Sequence, residues 1–201
     1  MIKILIAEDM HMLRKALVSL LSMEADLEVV GETSEGDRIL PLALQLRPDV
    51  AVLDIDLPGL DGISASNLLY QNLPDCRTLI LTSLGRPGNL RRALAAHAAG
   101  FMLKDAEPDL LAAAIRAVAA GERAIDPKIA LAALDAGTNP LTPRDIEVLK
   151  LAAEGEDVGQ IAARLFLASG TVRNYLTNIV VKLNARNRVD AVRIARESGW
   201  L

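Results

Sequence analysis

The chain has 201 residues, of which 51% are apolar, 24% charged and only 2% aromatic. That is enough apolar material for one large or two small packed domains, and the modest charge excludes wholesale disorder. The longest unbroken apolar runs, 110–115 and 129–134, reach six residues, far short of the ~18 that a membrane span needs. The N-terminus meets Glu8 and Asp9 without a small-residue cleavage site, unlike a signal peptide. A single cysteine, Cys76, cannot form an internal disulfide. Both features make a reducing cytoplasm the expected location.

The net charge of −4 is unevenly spread. Residues 1–139 carry −6 and residues 140–201 carry +2, and within 160–196 seven basic residues face one acid, Asp190. An acidic front and a basic stripe near the end predict two domains, the second touching a polyanion.

In chain order, 2–7, 28–31, 50–53, 78–81 and 101–103 read as strands, several apolar throughout, as strands covered on both faces are. Helical patterns fill 10–22, 35–45, 61–71, 89–98 and 108–120. Five βα repeats in series predict a doubly wound, five-stranded parallel sheet between helices, because parallel neighbours need crossovers. From Arg123 the sequence is Ala-rich and ends in the turn cluster Gly137-Thr138-Asn139-Pro140, which reads as a linker with one short helix. Beyond it no strand pattern appears. Thr142 is an N-cap with Pro143 behind it, and four short helices follow, at 143–153, 158–165, 171–183 and 187–197. The fold class is therefore α/β with a small all-α tetrahelical module, divided 1–121, 122–139 and 140–201.

In a doubly wound sheet the ligand crevice lies at the carboxyl ends of the strands. The strands end there in Glu8-Asp9, Asp54, Thr82-Ser83 and Lys104. Singly, a strand-end Asp is more often a cap, a Thr a surface hydroxyl and a Lys a solvated amine. Together, three carboxylates repel unless a cation joins them, and an all-oxygen set with room for a phosphate favours Mg²⁺. A carboxylate beside Mg²⁺ is a nucleophile toward phosphorus, and Asp54 is the central one. Thr82 is then placed to bond a phosphoryl oxygen and Lys104 to neutralise another.

These elements, with Leu57-Pro58-Gly59-Leu60-Asp61-Gly62 after Asp54, resemble the flavodoxin-like receiver domain of two-component response regulators. The resemblance implies that Asp54 accepts a phosphoryl group from a phosphohistidine on a sensor histidine kinase. It also implies that Asp9, Asp54 and the backbone carbonyl of Asp56 ligate Mg²⁺, with Glu8 acting through water. Phe101 stands at the family's switch aromatic, whose ring turns inward as Thr82 closes on the phosphate. Asp105 replaces the proline that often follows the lysine, which leaves the geometry of that loop open.

Residues 165–183 read as a helix–turn–helix. Its second helix carries Arg173, Asn174, Thr177, Asn178 and Lys182 on the polar side and Val172, Ile179 and Leu183 inward. Arg and Asn read guanine and adenine edges, and basic groups near the ends hold phosphates, although a polar helix face is more often merely solvated. Leu141-Thr142-Pro143-Arg144-Asp145-Ile146-Glu147-Val148-Leu149, Ile161-Ala162, Thr171-Val172-Arg173, Lys182-Leu183, Arg188 and Ala191-Val192 resemble the DNA-binding domain of the LuxR/NarL regulators. That resemblance implies double-stranded DNA as partner, with Arg173, Asn174 and Thr177 in the major groove. It adds Gln160 and Thr171 as further contacts and places Lys182 and Arg188 toward the backbone. Ala168 stands where a capping Ser is common, so Ser169 is expected to cap. The stretches 85–88 and 170–175 are most similar to regulators of membrane-lipid desaturase genes.

The sequence thus reads as a phosphorylation-switched transcription factor, dimeric when phosphorylated, with no catalytic activity beyond its own phosphoryl transfer and dephosphorylation. The first and last receiver helices, through Leu13, Leu17, Leu20, Leu111 and Ile115, offer apolar surface for a dimer face, although the same positions read equally as core. Two other readings were weighed. An aspartyl-phosphate phosphohydrolase using Asp54-Ile55-Asp56 lacks a cap insertion and sends Asp56 into a turn. A vestigial receiver does not explain the intact acidic set and Lys104. His11 and His97 lack metal-ligand spacing, Cys76 is expected to be inert, and Trp200 to pack the terminal helix.

Overall fold

In the computed structural model the residues described are 1–83, 85, 87–135 and 139–201. They fall into two compact units, one built from Met1–Gly85 and Leu90–Ala130, the other largely from Leu131–Leu201. The expected turn residues Gly137 and Thr138 and the loop residue Arg86 lie outside the described residues.

The first unit runs β1 (Ile2–Ala7), α1 (His11–Leu21), β2 (Leu27–Thr33), a 3₁₀ turn (Gly36–Arg38), α2 (Ile39–Leu46), β3 (Val50–Asp54), α3 (Gly62–Asn72), β4 (Arg77–Thr82), α4 (Pro87–Ala95), β5 (Gly100–Leu103), α5 (Pro108–Ala119), β6 (Ala124–Ile125) and α6 (Pro127–Asp135), the last reaching into the second unit. All strand pairs are parallel, in the order β2-β1-β3-β4-β5-β6.

The sheet therefore has six strands rather than the five expected. Ala124 and Ile125 pair with Gly100 and Phe101, within the stretch read as linker. Two residues are too short to carry a period-2 signal, so composition hides this strand. Ile129 of α6 is likewise buried.

The central strands are apolar throughout because both faces are covered. On one face Ile4, Ile6, Val50, Val52, Leu79 and Leu81 pack with Leu17 and Leu21 of α1 and Leu111, Ile115 and Val118 of α5. Leu5, Ala51, Leu53, Ile80 and Phe101, equally buried, point by the strand alternation to the opposite face.

This packing corrects the dimer-face reading for most of these positions. Leu17, Leu111 and Ile115 belong to the core, and Leu13 is packed against it. The stripe that periodicity finds is the one facing the sheet, because burying it is what makes these helices fold. Leu20 and Leu110, together with Met12, are the large apolar side chains these two helices leave exposed.

The second unit holds α7 (Pro143–Ala153), α8 (Val158–Leu165), α9 (Ser169–Lys182) and α10 (Arg188–Glu197). Thr142 and Asp157 cap α7 and α8 through reciprocal capping boxes with Asp145 and Gln160. Asn187 caps α10. Helix α9 begins one residue earlier than a Ser169 cap allows: Ala168 is the N-cap, without a side-chain bond, and Ser169 is the first helical residue. Val148, Leu149, Ile161, Val172, Ile179, Ala191 and Ala195 form the core, with Trp200 packed against it. Among the described residues no helix is long and apolar enough to cross a membrane.

Gly62 opens α3 with its backbone pressed against β3. A Cβ there would lie 1.9 Å from the Asp54 carbonyl oxygen and 2.9 Å from its carbon. Gly62→Ala is expected to destabilise this unit by about 1–3 kcal/mol, the usual cost of overpacking, seen as a lower urea midpoint. An unchanged midpoint contradicts this close approach.

Candidate functional site

The backbone ladder assembles the site. β1 and β3 are neighbours in the register Ala7↔Leu53, so the next residues, Glu8 and Asp54, lie side by side where the strands end. Asp54 pairs with Leu81 of β4, and Thr82 with Leu103 of β5. The Lys104 amide donates to the Thr82 carbonyl at 2.9 Å, which sets the lysine one strand from Thr82 and two from Asp54.

Carboxylate oxygens of Glu8, Asp9 and Asp54 all lie within 4.8 Å of one another. Glu8 and Asp54 are buried and Asp9 is exposed. Lys104 reaches over them, with Nζ 2.7 Å from Glu8 Oε2 and 3.0 Å from Asp54 Oδ2. Burial pushes the Glu8 carboxyl above its ordinary range; the Lys104 bond opposes this and the Asp54 charge adds to it. Burial alone would lower the Lys104 ammonium, but its bonds to Glu8 and Asp54 outweigh that and raise it.

Three carboxylates against one ammonium leave an excess of negative charge in a partly dry cleft. An all-oxygen donor set of that charge fits a hard dication such as Mg²⁺. Asp56 is exposed and its carboxylate is outside the cluster, so a contribution from it falls to the backbone carbonyl. Thr82 and Phe101 are each 1% exposed, so both side chains are buried in the fold. No peptide is cis among the described residues, so Lys104 precedes Asp105 through a trans bond.

One contact in this region was not legible from sequence. Arg14 Nη1 of α1 donates to the Glu8 carbonyl at 2.6 Å and lies 3.4 Å from that of Asp9. Nothing in the helical pattern singles out this arginine.

In the second unit Thr171, Arg173, Asn174, Thr177 and Asn178 are exposed along α9, while Val172 and Ile179 face the core. Tyr175 and Leu176 pack at its edge. Gln160 is exposed, but its side-chain oxygen accepts from the Asp157 amide, leaving the NH₂ for any ligand. Lys182 is not a free end. Its Nζ is 2.5 Å from Asp145 Oδ2, and Asp145 is only 2% exposed.

The basic stripe is largely spent internally. Arg164 pairs with Glu154 and Glu156, Arg186 and Arg193 with Asp190, and Arg193 also with Glu197. Arg196 donates to the Ala153 carbonyl. Among the described residues Arg173 and Arg188 are the stripe's two cations with no such partner. Both are exposed, one on α9 and one opening α10.

The remaining candidates are structural. The Cys76 thiol is pushed up to about 12 by burial, helped by the charge of Asp49. His97 stacks on Tyr70 at 3.7 Å between ring centroids.

Residues 4–116 match the response regulator receiver domain, and residues 139–195 match the bacterial regulatory proteins of the luxR family. The chain therefore belongs to the response regulators, in the branch whose receiver is followed by a LuxR-type DNA-binding domain. Over the full length of both chains it is 43% identical to YvfU of Bacillus subtilis, an uncharacterized transcriptional regulatory protein. It is 42% identical to the transcriptional regulatory protein DesR of the same organism, covering 100% of this chain and 99% of DesR. Among solved structures it resembles ChrA, the response regulator of a heme-sensing two-component system. The TM-score is 0.60 and the identity 33%, over 100% of this chain and 98% of that one.

The second unit carries its own acid sensitivity. Burial would raise the Asp145 carboxyl, but bonds from Lys182 and Thr142 hold it below its ordinary 3.8. Asp190 is held further down by the Arg186 amide, then by the Arg186 and Arg193 side chains. A depressed carboxylate contributes stability that is complete above its unfolded value and disappears as pH falls through its folded one. Trp200 is the chain's sole tryptophan and packs on this core, so its fluorescence reports this unit. Its urea midpoint is expected to fall as pH drops below about 4, less steeply in Asp145→Asn. A midpoint flat from neutral pH into that range contradicts the pairing.

Proposed function

We propose that this response regulator is switched by phosphorylation of Asp54. The observation that carries the proposal is the convergence of Glu8, Asp9 and Asp54 within 4.8 Å, with Lys104 bridging two of them, in a chain that also presents the polar face of α9.

An Asp54 carboxylate oxygen attacks the phosphorus of a phosphohistidine on a sensor histidine kinase. The P–N bond breaks, the imidazole leaves, and an aspartyl phosphate remains. Asp9, Asp54 and the Asp56 carbonyl would hold Mg²⁺, with Glu8 beside them, and the bound ion would supply the charge that lets anionic carboxylate and phosphoryl oxygens approach. Lys104 moves its ammonium from the carboxylates to a phosphoryl oxygen, and the Thr82 hydroxyl donates to another. Phe101 follows Thr82 as the switch aromatic. The chain's only chemistry is this transfer and its hydrolytic reversal, and the cytoplasm is where a kinase and DNA are both within reach.

Phosphorylation then shifts a receiver equilibrium toward a surface that dimerises. Leu20 and Leu110, left exposed by α1 and α5, supply apolar area for that homodimer in place of the buried leucines. Dimerisation matters for DNA because, among the described residues, the 160–196 stripe leaves few cations without a partner: Arg173 and Arg188, with Lys182 held by Asp145. Such a small electrostatic footprint gives weak binding alone, and two copies on two half-sites double it. Arg173, Asn174 and Thr177 read bases, with Gln160 and Thr171 beside them and Arg188 on phosphate. We assign residues 1–121 to the receiver, 122–139 to a linker that begins with the sheet's sixth strand, and 140–201 to the DNA-binding domain.

Intact mass after incubation with Mg²⁺ and a small-molecule phosphodonor tests this reading. One phosphoryl adduct is expected on wild type and none on Asp54→Ala. An equal adduct on both chains, or none on a folded wild type, overturns the assignment of Asp54.

A further inference from the structure

We infer that Arg14 is a positioning residue for the metal-binding pair Glu8-Asp9, an inference that rests on the phosphoacceptor reading above.

The β1–α1 loop has to hold two adjacent carboxylates beside a third. Their repulsion pushes the loop away from Asp54, and besides the Lys104–Glu8 bond its front is held by two amide contacts. The Glu8 amide donates to the Thr33 carbonyl at 3.1 Å, and the Met10 amide donates to Glu8 Oε1 at 3.2 Å. Arg14 closes the back. One guanidinium nitrogen lies 2.6 Å from the carbonyl of Glu8 and 3.4 Å from that of Asp9. Those are the two residues whose side chains enter the cluster, and the guanidinium bonds no other backbone among the described residues.

The arginine is itself held. Its side chain is 12% exposed, and its Nε lies 3.8 Å from Glu32 Oε2. Glu32 is opposite Ile6 in the β1–β2 register, so β2 anchors the guanidinium just behind the end of β1. Lys15 pairs with the other oxygen of Glu32. Glu32 Oε2 is buried and accepts no hydrogen bond, so the nearby guanidinium charge is what balances it. A planar, always charged fork suits this double duty better than an ammonium, which presents one point charge. Arg14 thus places positive charge behind the loop, bonded to the Glu8 and Asp9 carbonyls and to none of the three cluster carboxylates among the described residues.

Groups that orient metal ligands from behind typically change affinity by ~10–100-fold when removed. Calorimetric titration of the full chain with MgCl₂ is therefore expected to show roughly a tenfold weaker dissociation constant for Arg14→Ala. The melting temperature in EDTA stays at the wild-type value, and phosphoryl adduct formation recovers at saturating Mg²⁺. Arg14→Lys recovers part of the affinity. Glu32→Gln, which keeps the arginine and loosens its anchor, gives a smaller weakening in the same direction and serves if Arg14→Ala does not fold. Wild-type Mg²⁺ affinity in Arg14→Ala, or in Glu32→Gln should that variant not fold, overturns the inference. So does an affinity loss that tracks a lowered melting temperature in EDTA across the variants, which assigns Arg14 to the fold alone. Absence of Asp54-dependent Mg²⁺ binding in the wild type is a separate result, and it removes the phosphoacceptor reading itself.

Discussion

Three carboxylates are forced together at one edge of a parallel sheet, and much of the receiver is arranged around that repulsion. The register of β1 against β3 leaves no choice about it: once Ala7 pairs with Leu53, Glu8 and Asp54 must adjoin. Apolar packing on both faces locks that register, because a one-residue slip would turn every core side chain outward. Lys104 offsets part of the charge, at 2.7 and 3.0 Å from two of the acids, and Arg14 braces the loop from behind. The remaining negative charge is what the proposed dication, and with it the proposed phosphoryl group, would relieve. Folding energy from the core is thus what holds a mutually repelling cluster in place, ready for a ligand that relieves it.

The second unit solves the opposite problem. Its sequence is basic along 160–196, yet acids from α7 and the turn after it fold back onto that stripe. Asp145 completes the capping box of α7 with Thr142 and receives Lys182 from the end of α9, tying the first helix of the module to α9. Charge that looks available for DNA is instead used to orient helices, and the polar face of α9 is left with little unpaired charge. A domain built this way has little unpaired charge for non-specific attraction, which is why the proposed reading has two copies presented together on DNA.

Much of this was legible in the sequence, and the exceptions share causes. β1, β3 and β4 read clearly because double-sided burial makes their central runs, 4–7, 50–53 and 79–81, continuously apolar, and the candidate site residues were found because strand ends in such a sheet converge. β2 extends to Thr33, beyond its sequence bounds, because a half-buried edge strand tolerates Glu32 at its end. β6 was missed because two residues have no period. The leucines of α1 and α5 read equally as core or dimer surface because periodicity reports a stripe without saying what it faces; Leu17, Leu111 and Ile115 are core and Leu20 is exposed. Lys182 with Asp145, and Arg14 with the Glu8 carbonyl, are contacts between separate elements, which local patterns do not encode. Gln160 was read as a contact residue, and its role in a capping box shows how one side chain can serve the helix first.

The central claim is that chemistry at Asp54 governs what α9 does on DNA. The direct test is fluorescence anisotropy of the full chain on DNA sites selected in vitro with the phosphodonor-treated protein, at fixed salt. The account predicts that Mg²⁺ and phosphodonor raise the affinity of the wild type by an order of magnitude or more, with binding second order in protein, and leave Asp54→Ala unchanged. Equal affinity with and without phosphodonor in a wild type shown to carry the adduct would contradict it, and would leave two units that share a chain without sharing a switch.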